Sequence, residues 1–109
     1  MNEMQLVKRW PKKYDQRYQF SEDVGEGVSQ PLRIPGVGKP VGVCLSPEEG
    51  VSAKVEYTFS SYSEVESGTA VWVEWPLGNV EQDTTDISSP AVSALRVVSD
   101  GQCKWSVSI

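Results

Sequence analysis

VSAKVEYTFSSYSEVESGTAVWVEWPLGNV, residues 51–80, opens on a clean alternation: Val51, Ala53, Val55, Tyr57 and Phe59 are apolar, and Ser52, Lys54, Glu56 and Thr58 between them are polar. A period of two sends successive side chains to opposite faces of an extended chain, which predicts a β-strand with one face on a core and the other in water. The period lapses through SSYSEVESG, returns from Ala70 to Trp75 and stops at Pro76 and Gly78. That pattern predicts a second strand after a crossing loop. Within the loop, SYSEVES has room for one helical turn before Gly68 ends it.

Downstream, residues 79–90 are a polar loop, and Val92 to Ser99 is apolar on both faces apart from Arg96, as a strand between two layers would be. If Arg96 points inward it needs a carboxylate or carbonyl partner; otherwise its stem covers the sheet and its head reaches water. Asp100-Gly101 is a hairpin signal, and Cys103, Trp105, Val107 and Ile109 alternate with Lys104, Ser106 and Ser108. The last two strands are therefore expected to pair as a hairpin. Upstream, Val41 to Leu45 is a short strand, ended by Ser46-Pro47 and a turn at Glu48-Glu49-Gly50.

Strands at 41, 51, 70, 92 and 103, with others possible near Tyr18 and Val80, predict an all-β fold: a small antiparallel β-sandwich or barrel. Residues 41–109 form that domain in this reading. Residues 1–40 divide into a basic, aromatic arm and a Gly/Pro linker, because Ser21 to Pro40 holds four glycines and three prolines. GVGKP within it lacks the GxxxxGK[ST] pattern of a phosphate-binding loop, and Pro40 stands where the hydroxyl would be, so no nucleotide site is expected.

The 109 residues fit one domain, and no apolar run is long enough to span a membrane as a helix. Met1 to Tyr14 is too charged for the apolar segment of a signal peptide, so synthesis in a cytoplasm is expected, with Cys44 and Cys103 as thiols. Charge is split. Residues 1–17 carry five cations against two carboxylates, net +3, while the remainder carries five against thirteen, net −8. Lys8, Arg9, Trp10, Lys12, Lys13, Tyr14, Arg17, Tyr18 and Phe20 mix cations with aromatic rings as protein interfaces do, and are the candidate partner-binding residues. The same mixture can bind single-stranded nucleic acid, but the acidic body opposes a polyanion and no RNA-binding motif is present.

With no histidine, Ser-His-Asp triads, Cys-His dyads and His-based zinc sites are excluded. Glu48/Glu49, Glu64/Glu66 and Asp83/Asp86 are the available carboxylate pairs, but they lie in turn-rich polar sequence where charge ordinarily serves solvation. Asp83 and Asp86 lack the spacing of an EF-hand loop. No catalytic residue, metal or cofactor is therefore assigned. Trp72 and Trp75 sit on opposite faces of their strand; an exposed one could stack on a sugar ring, while at least one belongs to the core.

The segment KVEYTFSSYSEVESGTAVWVEWPLGNV with the closing SALRVVSDG resembles small virion structural proteins of tailed bacteriophages, most of all capsid decoration or cement proteins. The likeness covers Val51 to Ile109 and rests on Glu56-Tyr57-Thr58, Gly68-Thr69-Ala70, Trp72, Trp75, Gly78 and Ala94-Leu95-Arg96. It implies a non-enzymatic β-sandwich that sits as a homo-oligomer on an assembled shell in the virion, with the major capsid protein as partner. A tail or neck component, or a virion-displayed glycan-binding module, are the alternatives.

Overall fold

The computed structural model of the chain describes residues 1–8, 16–36, 39–88 and 91–109. In chain order its elements are β1 (Asn2–Glu3), β2 (Gln5–Lys8), β3 (Gln16–Val24), β4 (Gly27–Val28), β5 (Leu32–Arg33), β6 (Val41–Pro47), β7 (Ala53–Thr58), α1 (Tyr62–Ser67), β8 (Val73–Glu74), β9 (Thr84–Ser88), β10 (Ala94–Ser99) and β11 (Cys103–Ser108). They build two sheets. The front sheet runs β1-β5-β10-β7-β8, with β4 also on β10, and the back sheet runs β2-β3-β11-β6-β9. The pairing of β1 with β5 is parallel and the other strand pairings are antiparallel. The expected all-β sandwich is the architecture observed.

Alternation places the core between the sheets. Val41, Val43 and Leu45 of β6 and Cys103, Trp105 and Val107 of β11 line one wall; Ala53 and Val55 of β7 and Leu95 and Val97 of β10 line the other. Trp105 has no exposed surface, and Phe20 meets it edge-on with ring centroids 5.5 Å apart. Burying an indole of this size stabilises the fold by about 4–6 kcal/mol at most, from about 150–250 Å² at about 25 cal/mol/Å².

The first forty residues are not separate from this body. β3 pairs along the whole of β11, from Cys103↔Val24 to Ser108↔Gln19, and β2 pairs with β3. Leu32 and Ile34, inside the expected linker, are core residues at 0% and 1% exposure. Pro31 and Pro35 do not prevent this, because β5 is only two residues long and lies between them. Leu32 pairs with Asn2 on one side and Leu95 on the other, the Pro31 carbonyl accepts from the Asn2 N–H (2.7 Å), and the Ile34 N–H donates to Ser93 (2.9 Å).

Asp100-Gly101 does not close a hairpin. β10 belongs to the front sheet and β11 to the back sheet, so this turn carries the chain across the core. A two-residue type I′ hairpin needs positive φ at both central residues, and neither Asp100 nor Gly101 has it. The chain crosses a second time beside it, between β6 and β7, and the two crossings are stitched together. Asp100 N–H donates to Ser52 O (3.1 Å), Ser52 N–H to Asp100 Oδ1 (2.8 Å), and Glu48 N–H to Gln102 O (3.0 Å). Gly101 is needed for closeness: a Cβ there would lie 2.7 Å from Val51 Cγ2.

The helical turn forms as read. Ser61 and Glu64 make a reciprocal capping box, and Gly68 takes φ 80° at the C-cap. The strand expected over Ala70 to Trp75 shrinks to β8, although Trp75 N–H still donates to Val55 O (2.9 Å). β10 is central within the front sheet, between β5 and β7, but it does not lie between two layers: Leu95 and Val97 face the core, while Arg96 and Val98 are half-buried on its outer face.

Gly101→Ala should destabilise the protein by about 1–3 kcal/mol, the usual range for overpacking a tight contact. Val51→Ala relieves the clash, so the double variant should be more stable than Gly101→Ala alone. Urea unfolding followed by tryptophan fluorescence checks both, and an unchanged midpoint for Gly101→Ala would contradict the close packing of the two crossings.

Candidate functional site

Of the residues expected to meet a partner, Lys8 ends β2 opposite Gln16 at the start of β3. Arg9, Trp10, Lys12, Lys13 and Tyr14 lie outside the described residues. The two strands that bracket them are paired, so both ends of this basic, aromatic segment are anchored at the same end of the back sheet, the end that also holds Ile109. Arg17 is exposed beside Val7. Tyr18 and Phe20 have other work. Tyr18 exchanges backbone hydrogen bonds with Ile109 (3.4 and 3.0 Å), and Phe20 packs on Trp105. Their period of two puts both on the inner face, where Glu22 and Val24 follow.

A strand near Tyr18 is found, as β3, but Glu22 hides its continuation to Val24 from a sequence reading, since it breaks an inward apolar series. Its carboxylate accepts from Trp105 Nε1 (3.0 Å) and from Asn2 Nδ2 (3.2 Å), joining β11, β3 and β1. At the other margin Trp75 Nε1 donates to Asp86 Oδ2 (2.6 Å), joining the front sheet to β9. The Trp75 indole and the Ile87 N–H hold the Asp86 carboxyl below its usual value of 3.8, against a smaller opposing effect of burial.

The carboxylate pairs do not converge on a reaction centre. Glu48 and Glu49 lie at a turn, Glu64 caps α1 beside exposed Glu66, and Asp86 is bound to Trp75 while Asp83 is exposed. Among the described residues no group of three or more Cys, Asp or Glu is placed to hold a metal ion. Trp75 is buried, and Trp72 lies half-buried on the outer face of the front sheet, where the Arg96 guanidinium covers its ring at 4.3 Å. Arg96 is itself half-buried and meets Glu56 at 2.7 Å, so it has both a carboxylate partner and a path to water.

An open trough of about 1010 Å³ lies on the outer face of the back sheet. Gly42, Cys44, Ser106, Ser108 and Ser21 make its floor, and the longer Gln5, Gln19 and Ile87 rise at its sides. Small side chains over three adjacent strands produce the hollow, and the lining is almost uncharged. Cys44 belongs to this outer face, whereas Cys103 points into the core, so the two thiols lie on opposite sides of one sheet. Burial pushes the Cys103 thiol up, against a hydrogen bond from the Ser46 backbone.

No family model, no curated protein and no solved structure matches the chain.

A carboxylate with a depressed native pKa contributes stability that is complete above its unfolded pKa and is lost as pH falls through the native one. Asp86→Asn should therefore cost about 1 kcal/mol at neutral pH, a modest figure because solvent reaches the group, and the variant's stability should fall less steeply than wild type below about pH 4. Parallel acid-denaturation curves would contradict the Trp75–Asp86 bond as a source of stability.

With a thiol reagent, one cysteine, Cys44, should react in the native protein and Cys103 only after unfolding. Peptide mapping of the modified chain checks the assignment, and native labelling of Cys103 would contradict its burial.

Proposed function

We propose that the protein is a non-enzymatic structural component of a tailed-phage virion, a capsid decoration protein that binds the assembled head. The observation that carries this reading is the basic, aromatic segment between β2 and β3. Lys8, Arg9, Lys12, Lys13 and Arg17 fall within ten residues, with Trp10 and Tyr14 among them. The strands on either side of it are paired, Lys8 opposite Gln16. Cations with aromatic rings suit an acidic protein surface that also offers apolar pockets. The net −8 of the remaining residues keeps the body away from nucleic acid. The major capsid protein is the partner in this reading, and the many copies on one shell add avidity to modest single contacts.

A glycan-binding role through tryptophan has less support. Trp75 and Trp105 are core residues, and one face of Trp72 is taken by Arg96.

Purified protein should cosediment with empty heads of the phage that encodes it. Removing residues 1–40 would take away β1 to β5 together with Leu32 and Ile34, so substitution is the cleaner variant. Replacing Lys8, Arg9, Lys12, Lys13 and Arg17 by Ser should weaken binding roughly 30-fold, taking about 0.4 kcal/mol for each exposed charge. Equal binding by the variant would remove the segment from the interface, and no binding by wild type would overturn the decoration reading.

A further inference from the structure

We propose that copies of this chain join edge to edge, the β2 margin of one back sheet adding to the β9 margin of the next. The four margins of the sandwich are unequal. In the front sheet, β1 and β8 are two residues each, too short to template a partner. In the back sheet, β2 has four residues and β9 five, and among the described residues each pairs with a strand on one side only. A free edge presents unpaired backbone N–H and C=O groups to any strand that can align with them.

Both edges also carry apolar side chains in water. Leu6 and Val7 on β2 are 41% and 40% exposed, and Ile87 on β9 is 71% exposed. Natural edges are commonly guarded by charge. Here the charge on β9 is turned away: the Asp86 carboxylate faces inward onto Trp75. It also accepts the Ile87 N–H (2.9 Å), so an incoming strand pairs through the other backbone groups of the edge.

Charge selects the partner. Just before β9 stand exposed Glu81 and Asp83, and residues 81–88 hold no cation. Residues 4–8 and 16–20, at the opposite margin, hold Lys8 and Arg17 and no carboxylate. Pairing β9 with β9, or β2 with β2, sets like charges together, whereas β2 on β9 sets opposite charges together. Val7 and Ile87 both lie on the outer face of the back sheet, so they become neighbours across the new pair. Because the two margins are different surfaces, each added copy leaves one of each free, and the assembly grows beyond a dimer into a ring or a filament. This contact concerns the isolated chain and is independent of the head-binding reading.

Sedimentation velocity over a concentration series tests it without any capsid. Wild type should show a weight-average mass that rises past that of a dimer at low salt and falls at high salt. Ile87→Lys places a cation against the basic β2 margin and should lower the association constant at least about tenfold, and adding Val7→Glu to the same chain should restore most of it. Near-UV circular dichroism of the buried tryptophans confirms the fold of each variant, and Thr85→Arg, on the same face of β9, replaces Ile87→Lys if that variant misfolds. A wild type that stays monomeric throughout, a cationic β9 variant that associates as wild type does, or a double variant no better than the single one would each overturn the proposal.

Discussion

A fully buried indole N–H must have an acceptor, and the fold is arranged around meeting that need twice. Trp105 stands at the centre of the back sheet with no surface exposed, and its Nε1 reaches Glu22. Trp75 comes from the front sheet and reaches Asp86 on β9. Each bond requires a carboxylate to face inward at a margin of the sandwich, where water still solvates its second oxygen or another donor meets it. Glu22 thereby sets the face of β3, and Asp86 sets the face of β9. β3, next to the β2 edge, and β9, at the other edge of the back sheet, inherit their orientation from these two side chains, and a slip of one residue would turn either carboxylate away from its indole.

The second constraint lies at the end where the chain twice changes sheets. The turns at residues 47–52 and 99–103 run side by side and exchange backbone hydrogen bonds, with Asp100 supplying a carboxylate and Gly101 the missing Cβ. β6 and β11 are thus neighbours in one sheet while β7 and β10 are neighbours in the other. The chain also passes from one sheet to the other at β1–β2, β3–β4, β5–β6, β8–β9 and β9–β10, but these two crossings are the ones joined to each other by hydrogen bonds through Asp100. The opposite end of the back sheet holds Ile109 and the paired ends of β2 and β3.

The surfaces divide accordingly. Buried groups are satisfied among the described residues: no buried side-chain nitrogen or oxygen lacks a hydrogen-bond partner. On the outer face of the back sheet the trough lies between the β2 and β9 margins, lined mainly by small and uncharged side chains with Glu3 and Asp86 among them.

Much of the fold was legible in the residues themselves. The alternations at 53–57 and 103–109 and the Ser61–Gly68 capping signals are local properties, and local sterics and burial suffice to read them; at the end of β7 the expected order reverses, with Thr58 buried and Phe59 61% exposed. The strand at Gln16–Val24 was legible only near Tyr18; its run on to Val24 was not, because Glu22 occupies an inward position that only the indole of Trp105, 83 residues away, makes favourable. Nor was the inward use of Tyr18 and Phe20, which as isolated aromatic residues beside cations read equally well as interface anchors. Leu32 and Ile34 were masked by flanking prolines whose cost vanishes in a two-residue strand held on both sides. Asp100-Gly101 carries the composition of a hairpin turn, yet whether it closes a hairpin or crosses the core depends on the φ that packing against Val51 and Ser52 imposes. The sequence by itself determined which segments extend and which face of each is apolar, since those follow from the period of two. Tertiary structure alone decided which strands became neighbours and where the polar side chains found partners, because those outcomes rest on contacts between residues far apart in the chain.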